Sequence, residues 1–322
     1  MTPACLIDKA VLINNAGRMQ RTCDEAGVSL RPHVKTLKSI EAAQYYAPVG
    51  TPVTVSTLAE ARYFAAAGYS DIVYAVCLTP NKFEHVNALL DQGVNLTVLT
   101  DSEEAVNALC ENAQNWVSRL SVALEIDADG HRAGISAGDE QIVSLARQLS
   151  SHSNLHFKGV LAHAGASYGC FSASQQQTMA RQETESVLAC VAMLKKHHIP
   201  CEMVSVGSTP TALAAKELAG ITELRAGVYI TFDCVMAGLG VCEHRDIALS
   251  VLTTVMGLQP EKGQVLIDAG WMALSRDKGT SDHPVDCGYG LVCDEAGRLL
   301  DGWFVAATNQ EHGIVRHRSG CS

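Results

Sequence analysis

The chain has 322 residues, of which 47% are hydrophobic, and a formal net charge of -10 at pH 7. This length suits one large α/β domain and a smaller one with a sizeable core. The acidic balance, without a basic stretch interleaved with aromatic residues, argues against nucleic acid as a partner. No apolar run approaches the ~20 residues that cross a bilayer, and the N-terminus lacks a signal-peptide pattern, so we expect no membrane partner. Twelve cysteines stand singly, which is typical of thiols in a reducing compartment and predicts a cytoplasmic location.

Short β-branched runs alternate with helical patterns along the first 240 residues. One helix is predicted ahead of the first strand, and others include residues 58–68, closed by Gly68, and 102–113, capped by Asp101 or Ser102. The predicted strands cover residues 28–36, 52–57, 71–77, 95–100, 120–127, 155–163, 202–208 and 221–227. Eight strand–helix units at this spacing predict a closed, TIM-type (β/α)8 barrel domain over residues 1–240, of the α/β class. An open doubly wound sheet is the alternative.

The rhythm changes after residue 245. Strand-like runs such as "IALSVLTTVMGL", "QVLIDAG" and "LDGWFVAATNQ" follow one another without long helices between them. We therefore predict a second, smaller and mostly β domain over residues 241–322.

A basic segment, "LRPHVKTLKS" at residues 30–39, is unusual in an acidic chain. Read as a strand, it places Arg31, His33 and Lys35 on one face, because successive side chains alternate. Lys35 is then expected at the carboxyl end of strand one, the edge at which barrel sites lie. The neighbouring cations Arg31 and His33 would disfavour its charged form and leave the amine free to form a Schiff base. A solvated loop is the alternative interpretation.

Small and hydroxylated residues follow the last two predicted barrel strands. Strand seven ends in "SVGSTPT", which brings Gly207, Ser208, Thr209 and Thr211 to the start of a helix, an arrangement that suits a phosphate. After strand eight, Gly227 allows its own N–H group and that of Val228 to approach an anion closely. Phosphate sites after strands seven and eight recur in barrels. Together with a lysine on strand one, these residues predict a phosphorylated cofactor that reacts with an amine.

A family resemblance rests on segments that occur in order and at similar spacing. They are "TPACLID", "LRPHVKTLKS", "STLAEA", "EIDADGHRAGI", "GVLAHAGASY", "VSVGSTPT", "TELRAGVYITFD", "LIDAG" and "NQEHGIV". In these segments, from residue 2 to about 315, the chain resembles the D-serine dehydratase and D-threonine aldolase family. Those proteins are pyridoxal-phosphate enzymes of the alanine-racemase-like fold, a barrel followed by a β domain.

The resemblance assigns roles to individual residues. It implies that Lys35 holds pyridoxal 5'-phosphate covalently and that Arg225 lies near the pyridine nitrogen, which leaves the ring a weaker electron sink than an acidic partner would. His163 would pack beside the ring or orient Arg225, and Arg132 matches the strand-five arginine of racemases. Tyr168 and Tyr229 would contact cofactor or substrate. A core histidine, a surface arginine and plain packing of the tyrosines are the respective alternatives.

The function implied by the resemblance is a lyase that acts on a D-3-hydroxy amino acid. Elimination of the β-hydroxyl and cleavage of the Cα–Cβ bond both remain open. Three alternatives are a pyridoxal-phosphate-binding protein without turnover, an amino-acid racemase of the same fold, and a barrel that binds a sugar phosphate. The resemblance also implies a homodimer.

The family binds zinc or manganese through a His-x-Cys or His-x-Asp pair near its C-terminus. After His312, this sequence offers only His317 and Cys321, four residues apart in a polar tail. Such spacing does not reproduce the family's chelating pair, and a short polar tail is typical of a frayed end. We therefore expect no metal site, a shortened second domain and impaired lyase activity, because a Lewis acid contributes several kcal/mol to such a reaction.

Overall fold

The computed structural model describes residues 1–116, 118–130 and 132–320, which contain sixteen strands and nine α-helices. The strands are β1 (Ala4–Ile7), β2 (Ser29–Pro32), β3 (Val53–Val55), β4 (Asp71–Cys77), β5 (Asn95–Thr100), β6 (Leu120–Asp127), β7 (Ile135–Ser136), β8 (Leu155–Ala162), β9 (Met203–Val206), β10 (Glu223–Ala226), β11 (Leu249–Leu252), β12 (Val255–Gln259), β13 (Gln264–Ile267), β14 (Leu291–Cys293), β15 (Leu299–Thr308) and β16 (Gly313–His317). The helices are α1 (Lys9–Ala26), α2 (Ile40–Ala43), α3 (Leu58–Ala66), α4 (Phe83–Asp91), α5 (Glu103–Ala113), α6 (Gln141–Ser151), α7 (Ala173–Lys196), α8 (Thr209–Ala214) and α9 (Cys234–Gly238). In the described part of the chain, no helix has the length and apolar character that a membrane span requires.

The chain divides into two compact units, and the unit of residues 13–230 is a barrel. Its strands follow the order β2-β10-β9-β8-β6-β5-β4-β3, and all neighbours in this path are parallel. An isolated bridge between His33 and Thr54 joins the two ends of the path, so the barrel is nearly closed. The predicted (β/α)8 barrel is confirmed, and the open doubly wound alternative is wrong.

Local sequence explains where the barrel helices begin. The side chain of Thr57 accepts a hydrogen bond from the Glu60 N–H and caps α3, and Ser102 caps α5 in the same way. Both caps lie two residues after a strand, so each helix begins at the carboxyl edge of the sheet. Helix α3 ends before Gly68, whose φ of +95° suits glycine.

The barrel interior is apolar in its middle and polar towards the carboxyl edge. A buried cluster takes one residue from each of five neighbouring strands: Val73, Leu99, Ala123, Leu161 and Met203. Because side chains alternate along a strand, the same inward face carries Cys77, Glu125 and Ser205 two or four residues later. Polar groups are therefore concentrated at the edge where the predicted site lies.

The second unit consists of residues 1–12 and 231–322. It contains a five-stranded antiparallel sheet in the order β12-β13-β16-β15-β14, with a small core of Ile267, Ala269, Val305 and Val315. Strand β1 pairs antiparallel with β11 in a separate two-stranded sheet. The prediction of a mostly β region after the barrel is confirmed. The assignment of the first twelve residues to this unit was not predicted, because it follows from a pairing between distant segments.

Candidate active site

Lys35 does not lie on a strand. Strand β2 ends at Pro32, and Lys35 occupies a 3-10 helix of three residues, Val34–Thr36, so the strand predicted to residue 36 was too long. The His33 ring explains the turn: its Nδ1 accepts a hydrogen bond from the Lys35 N–H at 3.5 Å, and its Nε2 lies 3.3 Å from Ser56 Oγ. Lys35 nevertheless follows the carboxyl end of β2, at the predicted edge of the barrel.

The Lys35 amine has a lowered pKa. Burial is the main cause, and the positive charge of Arg132 is the next. Arg225 and Lys38 lower the pKa further, whereas the carboxylate of Glu60 opposes them. Lys35 is therefore in its neutral, nucleophilic form at a lower pH than an ordinary lysine.

The sequence predicted that Arg31 and His33 disfavour the charged form of Lys35, and this assignment of the two cations was wrong. Burial, together with the charges of Lys35 and Arg225, lowers the pKa of His33 to about 2, so this imidazole is neutral. Arg31 is held in ion pairs, with its Nε 2.8 Å from Glu223 Oε2 and its Nη1 2.7 Å from Asp71 Oδ1. Arg132 and Arg225, which are distant in sequence, supply the effect instead.

Arg225 is buried in the barrel and its orientation is fixed. Its Nη1 donates to Ser205 Oγ at 2.7 Å, and its Nη2 donates to the Ala162 carbonyl oxygen at 2.7 Å. Ser205 Oγ in turn donates to Glu223 Oε1 at 2.6 Å. Burial lowers the pKa of Arg225, while the nearby carboxylates, first that of Glu223, raise it. A continuous chain of charged hydrogen bonds thus connects Arg225 through Ser205 and Glu223 to Arg31.

His163 directly follows β8, and its ring contacts the segment that follows β9. Its Nδ1 is 2.9 Å from the Gly207 carbonyl oxygen, so this nitrogen carries the proton and donates. Burial lowers the His163 pKa to about 4, and the charges of Arg225, Arg132 and Lys35 add to this effect. The Tyr168 ring is 6.4 Å from the His163 ring. Arg132, although exposed, therefore acts electrostatically on both His163 and Lys35 and belongs to this region.

The segment after β9 is tightly built around Gly207. Its φ is +135°, and a Cβ at this position would lie 2.2 Å from the Arg225 carbonyl oxygen, so only glycine fits. Ser208 caps α8 by accepting from the Thr211 N–H at 3.2 Å, and its own N–H donates to Thr211 Oγ1 at 2.9 Å. Ser208 Oγ also lies 2.8 Å from Ser167 Oγ.

The segment after β10 contacts both the segment after β2 and the segment after β9. A Cβ on Gly227 would be 3.0 Å from the His33 carbonyl oxygen, and the Tyr229 N–H donates to Thr209 Oγ1 at 3.2 Å. The Tyr229 phenol is fully buried near Tyr46, and burial raises its pKa. Val228 opens the 3-10 helix Val228–Ile230, which contains this tyrosine. The structure thus brings together the predicted Gly207, Ser208, Thr209, Gly227 and Val228, whereas the Tyr229 side chain belongs to the core.

Sequence reasoning missed the residues that hold these segments in place. Ser205 and Glu223 could have been found from the alternating inward positions of β9 and β10, which they share with Arg225. Glu183 gave no such signal, because it lies on α7, far along the chain from the segments that it contacts. Its Oε1 accepts hydrogen bonds from the Ala164 and Gly207 N–H groups.

The described residues that were considered for a metal, His312 and His317, are not part of a metal-binding cluster. Among residues 1–116, 118–130 and 132–320, no group of three His, Cys, Asp or Glu side chains is arranged to hold a metal ion. His312 Nε2 lies 3.1 Å from Asn309, and His317 Nδ1 lies 2.7 Å from Ser319 Oγ. Cys321 lies outside the described residues.

Two family models together match most of the chain. The model of the alanine racemase N-terminal domain matches residues 7–234, and that of a putative serine dehydratase domain matches residues 248–322. The chain belongs to the alanine-racemase-like family that includes the D-serine dehydratases. The family predicted from the sequence is confirmed.

Known relatives match this chain over nearly its whole length. D-threo-3-hydroxyaspartate dehydratase from Delftia sp. strain HT23 is 44% identical over 100% of this chain and 85% of its own length. D-serine dehydratase from Dictyostelium discoideum is 30% identical over 91% of this chain and 79% of its own length. A solved structure of a D-threo-3-hydroxyaspartate dehydratase mutant in the metal-free form covers 100% of this chain and 85% of the solved chain, at 44% identity with a TM-score of 0.97.

These comparisons bear on the expected activity. The relatives are named dehydratases and aldolases of D-3-hydroxy amino acids, in agreement with the predicted class of lyase. The expectation of impaired activity is not borne out, because a named dehydratase aligns with every residue of the chain.

Proposed function

We propose that this protein is a pyridoxal-phosphate-dependent lyase that removes the β-hydroxyl of a D-3-hydroxy amino acid. D-threo-3-hydroxyaspartate is the first candidate substrate, since the relative named for it is 44% identical. The observation that carries the proposal is the Lys35 amine after the carboxyl end of β2, where burial lowers its pKa and the charges of Arg132 and Arg225 add to this effect. A relative named D-threonine aldolase is 28% identical, which makes aldol cleavage the second candidate reaction.

The chemistry of the side chains fits the cofactor. Lys35 would hold its aldehyde carbon, and Arg225 would face its pyridine nitrogen. The cradle at Gly207 and Gly227, where a Cβ would collide with the neighbouring backbone, fits the close approach of an anion to the main chain. When bound, pyridoxal phosphate supplies an electron sink for negative charge at the substrate Cα.

The phosphate donors differ from the simplest expectation. The Gly207 N–H is used by Glu183 and the Ser208 N–H by Thr211. We therefore assign the phosphate to the Ser208 hydroxyl and to the N–H groups of Thr209, Gly227 and Val228. The positive charges of Arg132 and Arg225 suit a dianionic group.

Residues of the protein would carry out the proton transfers and bind the substrate. Lys35 Nζ takes the proton from the substrate Cα, and its lowered pKa favours the neutral amine that this step requires. The Lys35 ammonium formed in this step can donate its proton to the β-hydroxyl, which leaves as water. Arg132 would bind a substrate carboxylate, and neutral His163 orients the Gly207 peptide group. Loss of water leaves an enamine, whose imine tautomer is hydrolysed by one water molecule. The C–N bond breaks in that hydrolysis, and the products are a 2-oxo acid and ammonia.

Cofactor attachment is the first test. Addition of pyridoxal phosphate to the purified protein should produce a near-visible absorption band, and borohydride should fix one cofactor on Lys35, as shown by peptide mass spectrometry. Lys35→Ala should abolish attachment, whereas Lys196→Ala, at the end of α7, should not. A protein that never takes up the cofactor would overturn the proposal and leave the sugar-phosphate alternative.

Activity assays separate the remaining alternatives. Turnover of D-threo-3-hydroxyaspartate to ammonia and a 2-oxo acid, above the Lys35→Ala control, supports dehydration. Release of glycine and an aldehyde would instead support aldol cleavage, and conversion between D and L substrate would support a racemase. Cofactor binding without turnover across D-serine, D-threonine and both forms of D-3-hydroxyaspartate would indicate a binding protein.

We also propose that the protein is a cytoplasmic homodimer that acts on a small D-amino acid. The dimer is expected from the family resemblance, and strand β12 exposes apolar side chains, among them Leu258 at 69% and Val255 at 57%. The location is inferred from the eleven described cysteines, all of which are free. Light scattering of the cofactor-loaded protein should give twice the mass of the chain, and a monomer would contradict the dimer.

A further inference from the structure

Glu183 is a buried carboxyl group that has no part in the mechanism proposed above. It lies on α7, and the residue is 1% exposed. One of its oxygens, Oε1, accepts hydrogen bonds from the Ala164 N–H at 2.8 Å and from the Gly207 N–H at 3.0 Å. The Thr211 hydroxyl is a further hydrogen-bond partner. A single side chain therefore joins the segments that follow β8 and β9.

These two segments carry the proposed contacts to the cofactor. Ala164 follows His163, and Gly207 precedes Ser208. Both polar backbone groups of Gly207 are occupied, because its N–H donates to Glu183 and its carbonyl oxygen accepts from His163 Nδ1 at 2.9 Å. Glycine at a φ of +135° has many alternative conformations, so these two bonds select one of them.

We propose that Glu183 is a positioning residue for the phosphate of the cofactor. It fixes the Gly207 backbone and the Thr211 hydroxyl, and these place the Ser208 side chain and the Thr209 N–H where the phosphate is bound. The inference rests on the proposed pyridoxal-phosphate site. It predicts that Glu183 contributes to binding of the phosphate and not to binding of the rest of the cofactor.

The test compares two ligands that differ only in the phosphate. Dissociation constants of pyridoxal phosphate and of pyridoxal are measured by absorbance with the cofactor-free protein. Glu183→Leu fills a similar volume but leaves two buried N–H groups without an acceptor, so affinity for pyridoxal phosphate should fall on the order of tenfold to hundredfold. Affinity for pyridoxal should change by less than about threefold, since its aldehyde meets the same Lys35.

Two conservative variants make the outcome independent of how well Glu183→Leu folds. Glu183→Gln keeps an acceptor oxygen and can donate to Thr211, so it should retain the wild-type ratio of the two affinities. Glu183→Asp withdraws the carboxylate by one methylene and should lower the ratio. Thr184→Val is the matched control, because the Thr184 hydroxyl is also buried on α7 but, within the described part of the chain, donates only to the Ala180 carbonyl oxygen of its own helix.

Each outcome points in one direction. A ratio that falls in Glu183→Asp, and in Glu183→Leu where that variant folds, with Glu183→Gln and Thr184→Val near wild type, supports the inference. Equal losses of affinity for the two ligands, or a wild-type ratio in Glu183→Asp, would mean that Glu183 only stabilises the fold. Either result would overturn the inference. Failure of the wild-type protein to bind pyridoxal phosphate would refute the proposed function instead, and the two failures are thereby distinguished.

Discussion

Replacing Ser205 with alanine tests the buried chain of charged hydrogen bonds that holds Arg225. The Ser205 hydroxyl is fully buried; it accepts from Arg225 Nη1 at 2.7 Å and donates to Glu223 Oε1 at 2.6 Å. Ser205→Ala removes both bonds without adding volume. Two oppositely charged groups in the barrel interior then each lose one partner.

The magnitude follows from the number and kind of bonds lost. A hydrogen bond to a charged group contributes about 1.5–3 kcal/mol, so two bonds correspond to about 3–6 kcal/mol. The space left by the oxygen allows Arg225 and Glu223 to approach each other, which recovers part of this loss. We therefore expect Ser205→Ala to lower the free energy of unfolding by about 2–4 kcal/mol.

Urea denaturation of the cofactor-free protein, followed by far-ultraviolet circular dichroism, measures this difference. The barrel transition is the relevant one where the two units unfold separately. Thr100→Val is the matched control, because the Thr100 hydroxyl is buried and has no hydrogen-bond partner among the described residues. Its removal should cost less than about 0.5 kcal/mol. A Ser205→Ala barrel as stable as the Thr100→Val barrel would refute the assigned role of Ser205.

Three further outcomes test the site. Burial and then the charge of Arg132 lower the pKa of Lys35. Amine labelling of Lys35 should therefore reach half of its maximal rate at a lower pH than labelling of an ordinary lysine, and Arg132→Gln should raise that pH. An unchanged or lower midpoint in Arg132→Gln would contradict this. Gly207→Ala forces a Cβ to within 2.2 Å of the Arg225 carbonyl oxygen and should weaken pyridoxal-phosphate binding at least about tenfold, whereas Gly138→Ala meets open space and should not, as equilibrium titration of both variants will show. Tyr229→Phe removes a buried hydroxyl that has no partner among the described residues, so thermal denaturation should show unchanged or raised stability and cofactor titration an unchanged affinity; weakened binding would instead indicate a direct contact.

Much of the architecture was predictable because it depends on local pattern. Eight apolar strands alternated with amphipathic helices, and Ser102 lay where a cap was expected. Lys35 and the Gly207–Thr211 segment were found because basic and small hydroxylated residues stood next to predicted strand ends. Periodicity and capping are properties of neighbouring residues, so the sequence by itself determines them.

The partners of the buried charges depended on the tertiary structure. The sequence pattern predicted that Arg31 acts as a cation beside Lys35, yet Arg31 is bound to Glu223 on β10 and to Asp71 on β4. Arg132 and Glu183 act on residues far from them in the chain. Alternation along the sequence predicted that Arg31 and Lys35 share a face, whereas the order and register of the strands decided which charges pair. The reason is that a desolvated charge requires a partner within hydrogen-bond distance, and only folding decides which groups lie that close.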